Sequence, residues 1–340
     1  MSVKTRNKYP LNQSPLYKLK SHKKLAELLL LESTSQLTKI VLKGEKNYYV
    51  SKLETGRVVE VPLQQLVRIH RRFSSLLNRI QIPEYINSGI KGRSHIKNGK
   101  DHLNSKYLLK MDIESYYLNV TSKHVEKVFT NKFKCPQDIA ETIARIACYN
   151  GYLPTGSPLS QVMAYISSRP VFDHIFKYSA DRGIKFTVYV DDLTFSGDKI
   201  TPAFKAYVIN HLKRTRNFSC HKIRNYNPDT PKKITGIIVK GDQLFVNNKH
   251  RLQIIELRKD LNLTLSNRKV SSDDDLIRKF QVLQGHLFSA GQINGRYKQL
   301  GRNTVEQRKE IGIKALNKNT KNKRNSPNSN KRRKLKKEWV

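Results

Sequence analysis

Two stretches of this chain join apolar β-forming residues to carboxylates, and that combination limits the available folds more than any other feature. Residues 185–197 read KFTVYVDDLTFSG, two β-rich runs that meet at Asp191 and Asp192. Residues 107–113 read YLLKMDI, an apolar run of the kind buried in a sheet centre, with Asp112 at its end. An unpaired buried charge costs several kcal/mol. Such acids therefore need a compensating cation, or else they sit in an exposed tight turn, where Asp is common. If the two stretches pair side by side, Asp112 and Asp191 converge on one spot. Two or three carboxylates so placed suit hard divalent ions with oxygen ligands, Mg²⁺ above all. Two such ions about 4 Å apart serve in-line phosphoryl transfer.

A third segment lies between these two. Leu153-Pro154-Thr155-Gly156-Ser157-Pro158-Leu159-Ser160-Gln161 is a loop of small residues opening a helix, and its lack of bulk lets a flat base pair or a sugar approach the backbone. Charge narrows the setting. Lys and Arg number 65 against 27 Asp and Glu, a formal net charge of +38. A compact chain so charged repels itself, which points to a polyanionic partner, nucleic acid or an anionic membrane. Residues 317–340 hold ten of the basic residues and one acid, and they read as a disordered basic tail. The remaining 316 residues still carry +29. With 12 Phe and 16 Tyr the chain can form a core, which excludes a disordered polycation. No apolar run approaches the roughly 20 residues of a membrane span. MSVKTRNKYP lacks the apolar stretch of a signal peptide. Cys135, Cys148 and Cys220 show no CxxC spacing, which excludes a disulfide framework and a cysteine zinc site. They are expected to be buried and inert, in a reducing cytoplasm.

Periodicity supplies the surrounding elements. A helix is expected over Leu16 to Glu32, and a hairpin over 47–62 with its turn at Glu54-Thr55-Gly56. A helix follows over Leu63 to Arg79, with Leu66, Ile69, Phe73, Leu76 and Leu77 on one face. Residues 137–149 read as a helix and 233–246 as a hairpin turning at Lys240-Gly241-Asp242. Two helices close the folded part. One spans about 249–261 with Leu252, Ile255 and Leu257 inward. The other spans about 273–289, capped by Ser271 or Ser272, with Asp273 to Asp275 in its first turn.

The three central segments resemble a known family. Asp112 in KMDIESYY, LPTGSPLS, and Tyr189-Val190-Asp191-Asp192 are similar, in this order, to the A, B and C motifs of reverse transcriptases. Within that class the chain resembles bacterial retron reverse transcriptases. Asn98-Gly99-Lys100-Asp101-His102 is similar to their NAxxH element, Ile234-Thr235-Gly236 to their VTG, and the DDLTFSG run and compact length also fit. The resemblance implies an α+β right-hand polymerase with an antiparallel palm sheet and a helical thumb. Its divisions would be an N-terminal helix and fingers (1–106), a palm with a returning fingers segment at about 123–150 (107–246), a thumb (247–316) and the tail (317–340).

The resemblance also implies roles. Asp112, Asp191 and Asp192 would be the catalytic acids and would hold two Mg²⁺ ions, or Mn²⁺ in their place, with the backbone carbonyl of Ile113. Arg57, Tyr117, Thr155, Gly156 and Lys222 would bind the incoming nucleotide: Arg57 its triphosphate, Tyr117 its sugar, and Lys222 the pyrophosphate as proton donor. Asn98, His102, Lys233, Thr235 and Gly236 would contact RNA or primer. Read without the family, Tyr117 could be a core aromatic, Arg57 and Lys222 solvated charges, and His102 a structural hydrogen-bonder. The implied partners are dNTPs, a structured noncoding RNA as primer and template, the single-stranded DNA made from it, and a separate effector protein of an antiphage defence system. Two other readings stand beside this one. The Gly156…Ser160-Gln161 ending is similar to reverse transcriptases of diversity-generating elements, with abortive-infection enzymes a related possibility. A non-catalytic basic RNA-binding protein is the alternative of another class.

Overall fold

The computed structural model describes residues 8–266 and 273–312. The chain divides into two compact units, Met1–Leu244 and Phe245–Val340.

The first unit opens with helices α1 (His22–Leu28) and α2 (Thr34–Lys43), each begun by a serine whose hydroxyl accepts from the third residue on. The helix expected over Leu16 to Glu32 is therefore shorter. Ser21 sets its start, while Leu16 and Leu19 are buried in an irregular segment where Lys18 has φ +53°. Helix α2 was not foreseen. Strands β1 (Tyr48–Lys52) and β2 (Val58–Pro62) form the expected hairpin, with Gly56 at φ +79° in its turn. Helix α3 (Gln64–Leu77) buries all five apolar residues that the spacing predicts. Then come α4 (His95–Lys100), β3 (Tyr107–Ile113), α5 (Tyr116–Asn119), α6 (Ser122–Asn131), α7 (Gln137–Ala147) and α8 (Ser160–Ala180). Strands β4 (Lys185–Tyr189) and β5 (Asp192–Gly197), helix α9 (Pro202–Arg216), β6 (Cys220–Tyr226), β7 (Lys232–Ile234) and β8 (Ile237–Lys240) follow. Strand β9 (Gln243–Val246) carries the chain out of this unit.

The central sheet has the order β4-β5-β3-β6, and every pairing is antiparallel. Strand β3 lies inside it, and its alternation separates two chemistries. Leu109, Met111 and Ile113 point into the main core with Leu193 and Phe195 of β5. That face is covered by Phe172 and Ile175 of α8 and by Phe204, Val208 and Leu212 of α9. Lys110 and Asp112 belong to the opposite face, free of this helical cover. The sheet is thus apolar toward the helices, and its other side runs from Leu108, buried with Ile234 and Val239, to the charged end at Lys110 and Asp112.

The second unit holds α10 (Asn248–Ser266), α11 (Asp273–Gly291) and α12 (Gly295–Glu310). Sequence periodicity predicts two closing helices; the structure has a third. It also rotates the inward face of α10. Ile254 and Leu261 are buried, whereas Leu252 is 58% and Ile255 48% exposed. Helix α11 buries Leu276, Phe280, Leu283 and Leu287 as its spacing predicts, with Asp273, Asp274 and Asp275 in the first turn. The cap expected at Ser271 or Ser272 and the basic tail at 317–340 lie outside the described residues. Among the described residues no helix is long and apolar enough to cross a membrane. All three cysteines are free; Cys135 and Cys148 are buried as expected while Cys220 is half-buried, and burial pushes every thiol up, Cys220 to about 11 and Cys148 to about 12.

Candidate active site

The acids meet because of strand register. Asp112 of β3 lies directly opposite Asp192 of β5, and the Ile113 N–H donates to the Asp191 carbonyl at 2.9 Å. Asp191 occupies the turn between β4 and β5. The preceding Val190 has φ +62°, a conformation a β-branched residue rarely adopts, and its N–H donates to Ser88 Oγ at 3.0 Å. The turn is therefore held in a strained form by its surroundings.

Like charges directly opposite on a sheet destabilise it, and the protein supplies cations against them. Lys110 Nζ lies 2.8 Å from Asp192 Oδ1, an ion contact between neighbours on one face. His221 Nε2 is 3.3 Å and Lys222 Nζ 3.6 Å from the two oxygens of Asp112. A β-bulge makes the second pair possible. Between Lys110 and Asp112 the β3–β6 register slips by one residue, and Lys222 takes φ +50°. A bulge re-aims side chains; here both His221 and Lys222 reach one carboxylate. Lys222 was expected near the acids, but His221 was not. The sequence carries no signal for it, because its place follows from a pairing irregularity.

Asp191 is the acid left with least compensation. Burial, then the charge of Asp112, raises its pKa, with Asp192 adding and Lys222 opposing. Among the described residues no group of three or more His, Cys, Asp and Glu stands close enough to hold a metal ion. The three-acid cage expected from the sequence is thus not gathered, since Asp192 is engaged by Lys110. What remains is a pair, Asp112 and Asp191, with the backbone of Ile113 at their junction. Hard oxygen donors carrying excess negative charge fit a divalent cation.

Tyr117 belongs to the same place. Its hydroxyl is pushed up to about 12 by burial first and by Asp191 second, with Arg57 opposing. Arg57 itself is exposed at the end of the β1–β2 hairpin. The ring packs partly against the main core, so the core-aromatic reading and the site reading describe two sides of one residue.

Other expected residues have different work. The Thr155 N–H and hydroxyl both donate to Glu60 Oε2 at 3.0 Å. Thr155 is thus bound to a glutamate that is only 5% exposed, and its hydroxyl is not offered to a nucleotide. Gly156 is small for a reason other than ligand approach: a Cβ there would lie 2.6 Å from the Glu60 carbonyl oxygen. Its N–H donates to that same oxygen, so the loop is pressed on β2.

His102 was expected at RNA and is instead 1% exposed. Nδ1 is 2.6 Å from Ser196 Oγ and Nε2 2.7 Å from Thr187 Oγ1, which fastens it to β5 and β4 beneath the acid-bearing turn. Burial pushes its pKa down to about 3, so the ring is neutral. Asn98 is fully buried as well. It donates to Thr235 Oγ1 at 3.4 Å and accepts from Asn87 Nδ2 at 3.1 Å. Both residues are therefore internal struts, not RNA contacts. Thr235, at φ +43°, and Gly236, at φ +88°, form the β7–β8 turn, and Thr235 also donates to the His95 carbonyl. Lys233 and Gly236 are exposed on this hairpin.

No protein-family model matches the chain. Among curated proteins it is 25% identical over 202 residues to the retron Se72 reverse transcriptase of Salmonella heidelberg, covering 57% of this chain and 52% of that protein. It is 25% identical over 176 residues to the retron Ec86 reverse transcriptase of Escherichia coli, covering 48% and 52%. The chain thus spans about half the length of the curated relatives it matches. Among solved structures it is similar to a telomerase from Candida albicans in complex with a telomeric RNA fragment, with a TM-score of 0.43, 11% identity, and coverage of 77% and 65%. Apo telomerase from Candida tropicalis aligns with a TM-score of 0.41, 12% identity, and coverage of 63% and 60%. The likeness to retron reverse transcriptases read from the motifs is borne out by named relatives.

Proposed function

We propose that this chain is an RNA-directed DNA polymerase that copies a structured noncoding RNA into single-stranded DNA. The observation that carries the reading is the register that sets Asp112 opposite Asp192 and beside Asp191, with Lys222 turned onto the Asp112 carboxylate by a bulge. The kinship with retron enzymes supports it. Asp112 and Asp191, with the Ile113 carbonyl, would hold the divalent ions, Mg²⁺ or Mn²⁺. When bound, such ions activate the attacking hydroxyl and stabilise the departing pyrophosphate. Arg57 grips the triphosphate with its guanidinium fork. Tyr117 lies under the sugar, and its bulk excludes a 2′-hydroxyl. Lys222 hands a proton to pyrophosphate. Asp192, held by Lys110, keeps the turn charged and in place. Residues 1–106 serve as fingers, 107–246 as palm and 247–316 as thumb.

The same kinship supports priming from a hydroxyl of the RNA itself, a branched RNA–DNA product, a cytoplasmic setting and a separate defence effector. The deciding experiment is extension of a primed RNA template with dNTPs and Mg²⁺. Wild-type protein should extend it, and the Asp191→Asn/Asp192→Asn variant should not. Equal extension by both would sink the proposal.

A further inference from the structure

On the outer side of the helices that back the sheet, α6, α8 and α9 enclose an open pocket of about 510 Å³. Its lining includes Lys127, Lys132 and Arg216 and the imidazoles of His124, His174 and His211, and no acidic side chain. Arg216 is the most informative member. It is half-buried at the end of α9, it donates to the Ser167 carbonyl at 2.5 Å, and no carboxylate pairs with it among the described residues. A partly desolvated guanidinium without an acid is costly unless an anion arrives. His124, whose Nδ1 accepts the Thr121 N–H at the start of α6, is a neutral neighbour and adds no acid. Its pKa is pushed down to about 4 by burial first, then by Arg216 and Lys127.

Beside the pocket runs a stack of flat groups. Arg182 lies 3.6 Å over the Tyr178 ring, Tyr178 stacks on Tyr207 at 3.7 Å, and His174 stacks on His211 at 4.1 Å. His174 Nε2 and the Tyr207 hydroxyl, 2.7 Å apart, tie the two stacked pairs together. Ring faces and guanidinium planes next to a cationic groove are how single-stranded nucleic acid is held without base-specific contacts. A small anion would use the pocket but leave the stack idle. An acidic protein segment would do the same.

We propose that this pocket and stack form a second nucleic-acid-binding surface, which takes a single-stranded RNA segment with its phosphates against Lys127, Lys132 and Arg216 and its bases on the rings. The surface lies on the side of the sheet away from Asp112, so the strand it holds is not the one being copied. It anchors the RNA while another part of the molecule is at the acids. The proposal rests on the polymerase reading for the identity of the polyanion and for the existence of a separate copied strand.

The test is binding of a fluorescein-labelled oligoadenylate RNA, followed by anisotropy across a KCl titration, with EDTA and no dNTPs. Lys127→Glu/Lys132→Glu should weaken binding at least about 10-fold and reduce the log–log salt slope by about 1.4, roughly 0.7 for each phosphate released. His174→Ala/His211→Ala should weaken it about 5-fold or more and leave the slope unchanged, as lost stacking does. The charge reversal Lys39→Glu/Lys43→Glu on α2, equal in net charge, should do neither. Unchanged affinity and slope in the first variant, or an equal loss in the α2 control, would overturn the proposal. Preferential capture of polyglutamate, abolished by the first variant, would overturn it in favour of an acidic protein. Because no nucleotide is turned over, failure of primer extension in a chain that passes this test would remove only the polymerase reading.

Discussion

Two polar clusters lie against the same sheet and have opposite characters. Around His102, Asn98 and Asn87 most partners close on one another, hydroxyl to imidazole, amide to amide, amide to Asp101, with Asn87 Oδ1 left over. Around Asp112 and Asp191 they do not close. Asp192 has a lysine, Asp112 has a more distant lysine and histidine, and Asp191 keeps a raised pKa. A fold satisfies the polar groups it uses for architecture. It leaves charge unbalanced where something else must bind. Sequence motifs present both clusters as equally functional, and only the degree of satisfaction separates them.

The largest test is to remove each kind of group in turn. Asp112→Asn or Asp191→Asn should lower primer extension by about 10²–10³-fold or more, the scale of losing one preorganised electrostatic group. The thermal midpoint should stay level or rise, because a repelling charge has gone. Loss of stability together with activity would place these acids in the architectural class. His102→Ala should behave in the opposite way. It strands Ser196 and Thr187 hydroxyls in the core and costs about 2–4 kcal/mol by urea denaturation. The protein that stays folded should retain its turnover.

Lys222→Ala should reduce extension about 10- to 100-fold, as loss of a proton donor does. Stability should change little, because its side chain is 67% exposed. The smallest effect is in pH. His102 binds a proton in the unfolded chain below about 6.5 but not in the fold until about 3. Its contribution is therefore complete above pH 6.5 and is lost as pH falls from there toward 3. Asp191 has a raised folded pKa, so its contribution is present in acid and is lost as pH rises through the carboxylate range. Urea midpoints measured against pH should flatten on the acid side in a His102 variant. In Asp191→Asn they should stop declining with rising pH. Slopes of one sign for both clusters would erase the distinction.

What could be read in advance follows the same division. Strand β3 and the β4–β5 hairpin were legible to the residue, because alternation and the flanking turn residues fix them locally. The meeting of Asp112 with the aspartate pair followed from the sequence only if the two stretches paired side by side, and the β3–β5 register supplies that pairing. His221 was not legible, because a bulge has no composition. The burial of Asn98 and His102 was hidden because their partners, Thr235, Thr187 and Ser196, are 85 residues or more away in sequence. The place of Thr155 was hidden for the same reason: Glu60, its partner, is 95 residues away in sequence. Periodicity places Leu252 and Ile255 inward, but α10 has apolar residues on more than one side, and periodicity does not choose among them.

The bulge in β6 also has a consequence for how the charge around Asp112 can be retuned. Strand β6 is at an edge of its sheet, and Ile223 beside the irregularity is already 36% exposed. Deleting one residue there would let the ladder run in step from Ile113 to Leu108 and would swing Lys222 away from the carboxylates. A deletion at this point would change what faces Asp112 while the β3–β5 and β4–β5 pairings keep their register. Length variation, usually confined to loops, has a place to act inside a strand.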